Sequence, residues 1–198
     1  MFSVVTADVD ETPLADEMPD SYVLRLAQAK ARAVEAYARP EQLILAADTA
    51  VVDQASILGK PSDLTEAEAM LKRLRARAHQ VYTGIVVLNP ATGQALTDLC
   101  ITQVFMRAYN EEEIRAYVLS GDPLDKAGAY AIQHPHFRPV ERLEGCFAGV
   151  MGLPLCHLVR TLSRLNVFPT ADVPVACQIE LNYQCSVAHL ILGGEQVG

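Results

Sequence analysis

The stretch that decides the fold is LILAADTAVV, residues 43–52. Five apolar residues lead into Asp48 and Thr49, and apolar residues then follow again. A continuous apolar run of this length predicts a strand that is buried on both faces, as strands are in α/β sheets. Because an ionised carboxylate is costly to bury alone, Asp48 needs a nearby cation, a hydrogen-bond partner or a shifted pKa.

A lysine follows this strand at a spacing that allows it to reach the buried acid. Lys60 lies twelve positions after Asp48, between Gly59 and Pro61, in a loop that can return to the same end of the strand. An acid on a rigid strand with a lysine nearby suits a polyanionic substrate that is held through a divalent metal. The alternative is that Asp48 only hydrogen-bonds a turn at the strand end, and the sequence pattern leaves both interpretations open.

The composition indicates one globular domain with room for two lobes. Hydrophobic residues make up 51% of the 198 residues and charged residues 20%, which excludes a disordered or fibrous protein. The 16 basic and 24 acidic residues give a net charge of −8 without a basic run, so nucleic-acid binding is not expected. A small anionic substrate remains compatible with this charge, because it needs only a local cluster of basic residues.

The sequence carries no sign of export or of membrane insertion. No apolar run approaches the roughly 20 residues of a membrane span, and no secretory signal is recognisable. The five cysteines are odd in number, scattered and without a CxxC pair, so neither a zinc site nor a disulfide framework is indicated. We therefore expect buried reduced thiols, no membrane partner and a cytoplasmic location.

Four helices are predicted from their start signals. Pro19-Asp20-Ser21 begins the first, and a capping box of Thr65 and Glu68 begins the second. Asn110 caps the third, and the last convincing helix opens at Pro154.

Strands alternate with these helices. Two strands are predicted at residues 79–88 and 94–106, joined by a turn, and a short one at 140–143. Met1–Val5 is typical of the middle of a strand, and Gly84 indicates a bulge or a close backbone approach. The alternation predicts an α/β fold with a mixed, twisted sheet and flanking helices.

One lysine of the first helix occupies an unexpected position. Lys30 is four residues from both Leu26 and Val34, so it falls inside the apolar stripe of that helix. Such a lysine either extends its ammonium group past the edge of the core or points into a polar cavity.

A set of short motifs, taken together, gives a family resemblance. In chain order they are Asp8–Pro13, Leu26–Ala31, Ala47–Thr49, Leu58–Pro61, Thr83-Gly84, Asp125–Tyr130, Ile132-Gln133 and Val150–Leu155. With these motifs the chain resembles the Maf family of nucleoside triphosphate pyrophosphatases from about residue 3 to residue 165. Each motif alone is weak, whereas six or more in register are specific.

The resemblance implies an activity, a fold and an assembly. The activity is hydrolysis of a nucleoside triphosphate to the monophosphate and pyrophosphate, with Mg²⁺ or Mn²⁺ as the cofactor. Ala-Asp-Thr together with Tyr-x-Ile-Gln is similar to the branch that acts on dTTP and UTP, with modified pyrimidine nucleotides as further substrates. The implied fold has two lobes around a cleft, like that of the inosine triphosphate pyrophosphatases, and the implied assembly is a homodimer.

The resemblance also implies catalytic and metal-binding residues. Asp48 matches the catalytic acid that accepts a proton and helps to hold the metal. Glu11 matches a second acid near the same metal, and Lys30 and Lys60 match lysines that contact the phosphates.

Further positions match the part of the family site that binds the substrate. Thr49 and Gln133 match residues associated with base selection, and Lys126 is expected to bind the substrate with them. His134-Pro135-His136 follows Gln133 where the family has glycine. We interpret the two histidines as substitutions and not as a metal pair, because a proline separates them in a loop.

The chain departs from the family at its beginning. The family's Ser-x-Ser-Pro-Arg-Arg loop, which supplies arginines to the triphosphate, does not occur in this sequence. We therefore expect residues 1–166 to form an N-terminally truncated pyrophosphatase domain, followed by an extension at 167–198 of unknown role with a frayed end. The alternative function is a nucleotide-binding or regulatory protein with little or no turnover, linked to septum formation.

Overall fold

A five-stranded sheet forms the centre of the computed structural model, which describes residues 2–198. Its order is β2-β1-β3-β4-β5, with β1 (Ile44–Asp53), β2 (Ser56–Leu58), β3 (Ala78–Asn89), β4 (Gln94–Met106) and β5 (Val140–Glu144). The three strands predicted after residue 78 are confirmed to within one residue at each end.

The strand pairs correct one part of the prediction. All four pairs within residues 2–198 are antiparallel, so the sheet is not mixed. Two residues join β1 to β2 and four join β3 to β4, and connections this short join only antiparallel neighbours. The α/β class is confirmed, because helices pack against this sheet and are joined to it in alternation.

Within residues 2–198, seven α-helices accompany the strands. They are α1 (Pro19–Ala33), α2 (Leu64–Leu74), α3 (Glu111–Leu119), α4 (Phe147–Val150), α5 (Leu155–Ser163), α6 (Val173–Leu181) and α7 (Ala188–Leu192). Asn110 caps α3 as predicted, but Thr65 does not cap α2. Asp63 takes that position, because its Oδ1 accepts a hydrogen bond from Glu66 N at 2.8 Å and so satisfies a free amide of the first turn.

Helix α1 lies directly on the sheet. A Cβ added to Gly84 of β3 would meet the backbone C and O of Val23 at 2.9 Å. The glycine therefore permits a close approach of α1 to β3, and the β1–β3 register is unbroken at this position. Because Gly84 pairs with Asp48, this approach brings the inner face of α1 over the acid of β1.

A second and larger core lies under α2 and α3. Apolar side chains of these helices pack there against β1, β3, β4 and the segment 127–137, with members such as Leu71, Leu74, Val81, Val104, Ile114 and Phe137. Strand β1 is buried on both faces only in its second half, since Leu45 is 42% exposed whereas residues 50–53 are buried.

The beginning of the chain does not form the strand that its sequence suggests. Residues 2–14 have no helix or strand, and Phe2 and Val4 are 89% and 86% exposed. Met1, which belongs to the same prediction, lies outside the described residues. An apolar alternation alone does not make a strand, because a strand also needs a partner for its backbone groups.

The segment after Asn166 is more ordered than its sequence suggests. It forms α6 and α7, both of which pack on α5. Arg160 of α5 donates hydrogen bonds to the carbonyl oxygens of Ile191 and Glu195, and the Ile191 side chain is fully buried. Tertiary contacts therefore hold helices that are too short to be stable alone. Residues 193–198, where the two glycines predict a frayed end, form no helix or strand.

No helix within residues 2–198 combines the length and the apolar character needed to cross a membrane.

Candidate active site

A cleft of about 340 Å³ gathers every site residue that the sequence analysis named. One wall consists of β1, α1 and the N-terminal segment, and the other of residues 125–133 and 150–152. Its charged lining residues are Glu11, Lys30, Asp48, Lys60, Asp125 and Lys126. Sequence positions more than 100 residues apart thus share one cavity of a size that suits a small molecule.

Asp48 lies at the bottom of this cleft with Lys30 directly beside it. The Lys30 Nζ is 2.5 Å from Asp48 Oδ1 and 2.7 Å from Glu11 Oε1. The Lys60 Nζ is 3.7 Å from Glu11 Oε2. The sequence left two alternatives open for both Lys30 and Asp48. Lys30 points into a polar cavity and does not extend past the edge of the core. Asp48 has a cation, and not a turn amide, as its partner.

The environment changes the pKa values of these three groups. Burial raises the pKa of Asp48 above its usual value, although the hydrogen bond from Lys30 acts in the opposite direction. The hydrogen bond from Lys30 lowers the pKa of Glu11. Burial disfavours the charged form of Lys30, but its hydrogen bonds to Asp48 and Glu11 outweigh this and raise the pKa. The ammonium group therefore stays charged between the two acids.

Contacts between loops hold Lys60 near this cluster. Gly128 N donates a hydrogen bond to Gly59 O at 3.0 Å, which ties the Lys60 loop to the opposite wall. Gly128 has a φ of +67°, and a Cβ there would meet both Val51 Cγ atoms at 2.9 Å. A glycine is required at this point because both the conformation and the space exclude a side chain.

Thr49 takes part in a chain of hydroxyl groups. Its Oγ1 is 2.8 Å from Thr83 Oγ1, and Thr83 Oγ1 donates to Gly149 O at 2.8 Å. A carbonyl only accepts, so the single proton of Thr83 is used there and Thr49 must donate to Thr83. The remaining lone pairs of Thr49 are then acceptors on the cleft wall.

Lys126 and Gln133 lie on the opposite wall. The Lys126 Nζ donates to Asp122 O at 2.9 Å and to Asp125 Oδ1 at 2.6 Å. The side chain of Gln133 is exposed and makes no hydrogen bond with the described residues. Lys126 is thus held in place by its neighbours, whereas the Gln133 amide is available to a ligand.

Two residues of the site were not predicted from the sequence. Tyr22 was not among the predicted site residues, yet its hydroxyl donates to Glu11 O at 2.9 Å and so holds the Glu11 segment at the cleft. Thr83 was named only as part of the Thr83-Gly84 motif, without a role in the site. The available signal was a polar atom on each side chain at a position predicted to be buried, because such atoms need partners.

Of the two histidines after Gln133, His134 has a structural role. His134 Nδ1 accepts a hydrogen bond from Phe137 N at 2.9 Å, and its ring contacts Tyr117 edge-on. No group of three or more His, Cys, Asp or Glu side chains within residues 2–198 is arranged to hold a metal. Among the described residues, the cleft is lined by the carboxylates of Glu11, Asp48 and Asp125 and by no histidine.

Comparisons with known proteins identify similar sequences. The family model described as Maf-like protein matches residues 1–165. The dTTP/UTP pyrophosphatase of Geotalea uraniireducens (strain Rf4) is 44% identical over 165 residues, which covers 83% of this chain and 84% of that protein. The enzyme of the same name from Pasteurella multocida (strain Pm70) is 41% identical over 174 residues, covering 84% and 86%.

A third relative gives the same result at similar coverage. The dTTP/UTP pyrophosphatase of Geobacter sp. (strain M21) is 44% identical over 161 residues, 81% of this chain and 83% of that protein. With a family match over residues 1–165 and relatives that align over more than four fifths of both sequences, this chain belongs to the Maf family.

Proposed function

We propose that this protein hydrolyses dTTP and UTP to the monophosphate and pyrophosphate. The observation that carries the proposal is the cluster at the bottom of the cleft, where buried Asp48 contacts Lys30 and both lie beside Glu11. The relatives named dTTP/UTP pyrophosphatase support the same substrates. A protein of net charge −8 with a local lysine cluster is suited to a free nucleotide and not to a nucleic acid.

In this proposal Asp48 accepts the proton of the attacking water. Burial raises the pKa of Asp48, which makes its carboxylate a stronger base than an ordinary aspartate, and the adjacent Lys30 ammonium group favours the ionised form. The water oxygen forms a bond to the α-phosphorus, and the bond from that phosphorus to the bridging oxygen breaks. The electron pair leaves with pyrophosphate, so the products are the nucleoside monophosphate and pyrophosphate.

The lysines act on the charge that develops on the phosphates. Lys30 and Lys60 have ammonium groups at the Asp48 side of the cleft, and Lys126 has one on the opposite wall. Ammonium groups already fixed by Glu11 and Asp125 need little reorganisation when the leaving pyrophosphate gains negative charge.

The residues of the cleft fit a divalent cation. Three lysines and three carboxylates line the cleft among the described residues, so it has no excess positive charge to match a triphosphate. Mg²⁺ and Mn²⁺ prefer oxygen ligands, and Mg²⁺ commonly combines one or two carboxylates with substrate phosphates. We propose Asp48 and Glu11 as its ligands; when bound, the metal neutralises charge on the phosphate oxygens.

In the same proposal, Thr49 and Gln133 select the base of the nucleotide. Thr49 presents acceptor lone pairs, which suit the N3–H of uracil and thymine. The Gln133 amide offers both a donor and an acceptor, and its NH₂ group suits a ring carbonyl. Neither contact distinguishes uracil from thymine, which agrees with a shared preference for dTTP and UTP.

The test uses the full chain with Mg²⁺ or Mn²⁺ and measures monophosphate and pyrophosphate from UTP, dTTP, ATP and GTP. We expect UTP and dTTP to be cleaved fastest, and Asp48→Asn to lower kcat by about 10²–10⁴-fold. Asp16→Asn is the matched control, because Asp16 is exposed and outside the cleft. Saturable nucleotide binding without pyrophosphate release would instead identify a binding protein.

We also propose a cytoplasmic location and a homodimer. All five cysteines are free, and three of them are buried, which suits a reducing compartment. Light scattering on the purified chain measures the mass and distinguishes a monomer of 21.5 kDa from a dimer.

A further inference from the structure

We propose that Tyr117 is a positioning residue, whose hydroxyl group fixes the wall of the cleft that carries Lys126 and Gln133. The inference rests on the proposed function, because it assigns substrate contacts to these two residues. Tyr117 belongs to α3 and does not line the cleft itself. It therefore acts on a substrate only through other residues.

The hydroxyl group joins two separate parts of that wall. Tyr117 Oη donates to Asp122 Oδ2 at 2.6 Å and accepts a hydrogen bond from Ala131 N at 3.1 Å. Ala131 lies nine positions after Asp122, and the segment between them contains Lys126. One buried oxygen atom thus ties the start of the wall to its end.

From Asp122 the connection continues to Lys126. The Asp122 carboxylate uses one oxygen for Tyr117, and its other oxygen is 3.2 Å from Lys126 Nζ. The backbone oxygen of Asp122 also accepts a hydrogen bond from this Nζ. Burial opposes ionisation of Asp122, but the hydrogen bonds from Tyr117 and Lys126 lower its pKa. Without the hydroxyl group the Asp122 carboxylate loses one of its two partners, so its contact with the Lys126 ammonium group is less fixed.

From Ala131 the connection continues to Gln133, which follows two residues later. Residues 130–133 form no helix or strand, so few backbone hydrogen bonds hold them in place. The bond from Ala131 N to Tyr117 supplies a fixed point near the Gln133 amide. A shift of this segment changes where that amide meets the base.

The ring of Tyr117 has a separate task in packing. It stacks on Phe137 with centroids 4.3 Å apart, and the residue is 3% exposed. Tyr117→Phe keeps these apolar contacts and removes only the hydroxyl group. The phenol proton stays bound, because burial raises the pKa of Tyr117. The hydroxyl is therefore a constant donor to Asp122.

The same core offers a matched control. Tyr109 is 1% exposed and also contacts Phe137, and its hydroxyl donates to Leu71 O at 2.7 Å. This bond leads into α2 and to no residue of the cleft. Tyr109→Phe removes a buried hydroxyl of the same kind, so it shows what a loss of stability alone does to the kinetics.

The experiment compares Tyr117→Phe, Tyr109→Phe and the unaltered chain in UTP hydrolysis and in thermal unfolding. We expect Tyr117→Phe to raise KM about tenfold with a smaller change in kcat. Tyr109→Phe should lower Tm and leave both constants within about twofold. Equal kinetics for the two variants, or an unchanged KM for Tyr117→Phe, would overturn the inference.

A second pair of variants tests the path through Lys126. In a Lys126→Met background, Tyr117→Phe should raise KM by a smaller factor than it does in the unaltered chain, because the two residues share one connection. If Tyr117→Phe raises KM by the same factor in both backgrounds, Tyr117 does not act through Lys126. If the unaltered chain cleaves no pyrimidine triphosphate, the proposed function fails before either comparison is made.

Discussion

The Lys30 Nζ lies 2.5 Å from Asp48 Oδ1, so the cation that the buried acid requires comes from α1 and not from its own strand. Burial raises the pKa of Asp48 and this ammonium group opposes the rise. The balance between the two effects determines the pH at which the acid becomes a base.

Lys30→Met should therefore move the acid side of the pH–activity curve. Without the ammonium group, the pKa of Asp48 rises further, so a higher pH is needed to ionise it. We expect the acid limb of kcat/KM to shift to higher pH and activity at pH 7 to fall at least about tenfold. Lys72→Met, on the exposed face of α2, is the control. If the acid limb does not move, Lys30 does not influence the ionisation of Asp48.

Gly84→Ala should affect both stability and activity. The added Cβ would meet the Val23 backbone at 2.9 Å and push α1, with Lys30, away from β1. Overpacking of this kind costs about 1–3 kcal/mol. Urea unfolding measures this loss, and Gly59→Ala serves as the stability control because nothing lies within 4 Å of its added Cβ. Equal stability of the two variants would contradict the close approach.

Arg160 should hold the C-terminal helices to the domain. It pairs with Asp98 at 2.7 Å, both side chains are largely buried, and it donates to two carbonyl groups of the tail. Arg160→Met leaves a buried carboxylate without its cation, at a cost of about 3 kcal/mol. We expect faster proteolysis after residue 166 and partial recovery in the double variant with Asp98→Asn. Arg32→Met, from an exposed pair, should change stability by less than about 1 kcal/mol.

Two buried histidines should make the protein sensitive to mild acid. Burial lowers the pKa of His79 and of His157 from 6.5 to about 4. Between pH 6.5 and pH 4 the unfolded chain therefore binds more protons, so stability is present above this window and is lost as the pH falls through it. Each histidine contributes a slope of at most about 1.4 kcal/mol per pH unit.

Histidine variants check this dependence. Urea unfolding between pH 4 and pH 7 should give a shallower slope for His79→Gln and for His157→Gln than for the unaltered chain. His136→Gln, at an exposed position of the loop, should leave the slope unchanged. A slope that none of these variants alters would mean that other groups govern the loss of stability in acid.

Part of the fold could be predicted from the sequence, because the relevant signals are local. Strands β3 and β4 followed from residue alternation around a turn, and the Asn110 cap from one side chain and the amides next to it. The α2 cap was misplaced by two residues because Asp63 and Thr65 both precede acidic residues at capping-box spacing. Local patterns of equal strength do not select between neighbouring starts.

The structure of residues 167–198 and of residues 2–5 could not be predicted in the same way. Helices α6 and α7 are short, and their order depends on contacts of residues such as Arg160 and Ile191, which lie about 30 positions apart. Residues 2–5 show the reverse case, an apolar pattern for which the structure provides no burial. In both segments the deciding energy comes from partners distant in sequence.

The sequence alone determined that a carboxylate would interrupt a buried strand and that a lysine would occupy an apolar helix stripe, because hydrophobic periodicity assigns faces within each element. Its motifs also placed the chain in its family. Only the tertiary structure decided that Lys30 and Asp48 meet, that Glu11 joins them and that Thr83 orients the Thr49 hydroxyl. The contact of Lys30 with Asp48 depends on how closely α1 approaches the sheet, and a distance between elements is set by packing and not by any pattern within one of them.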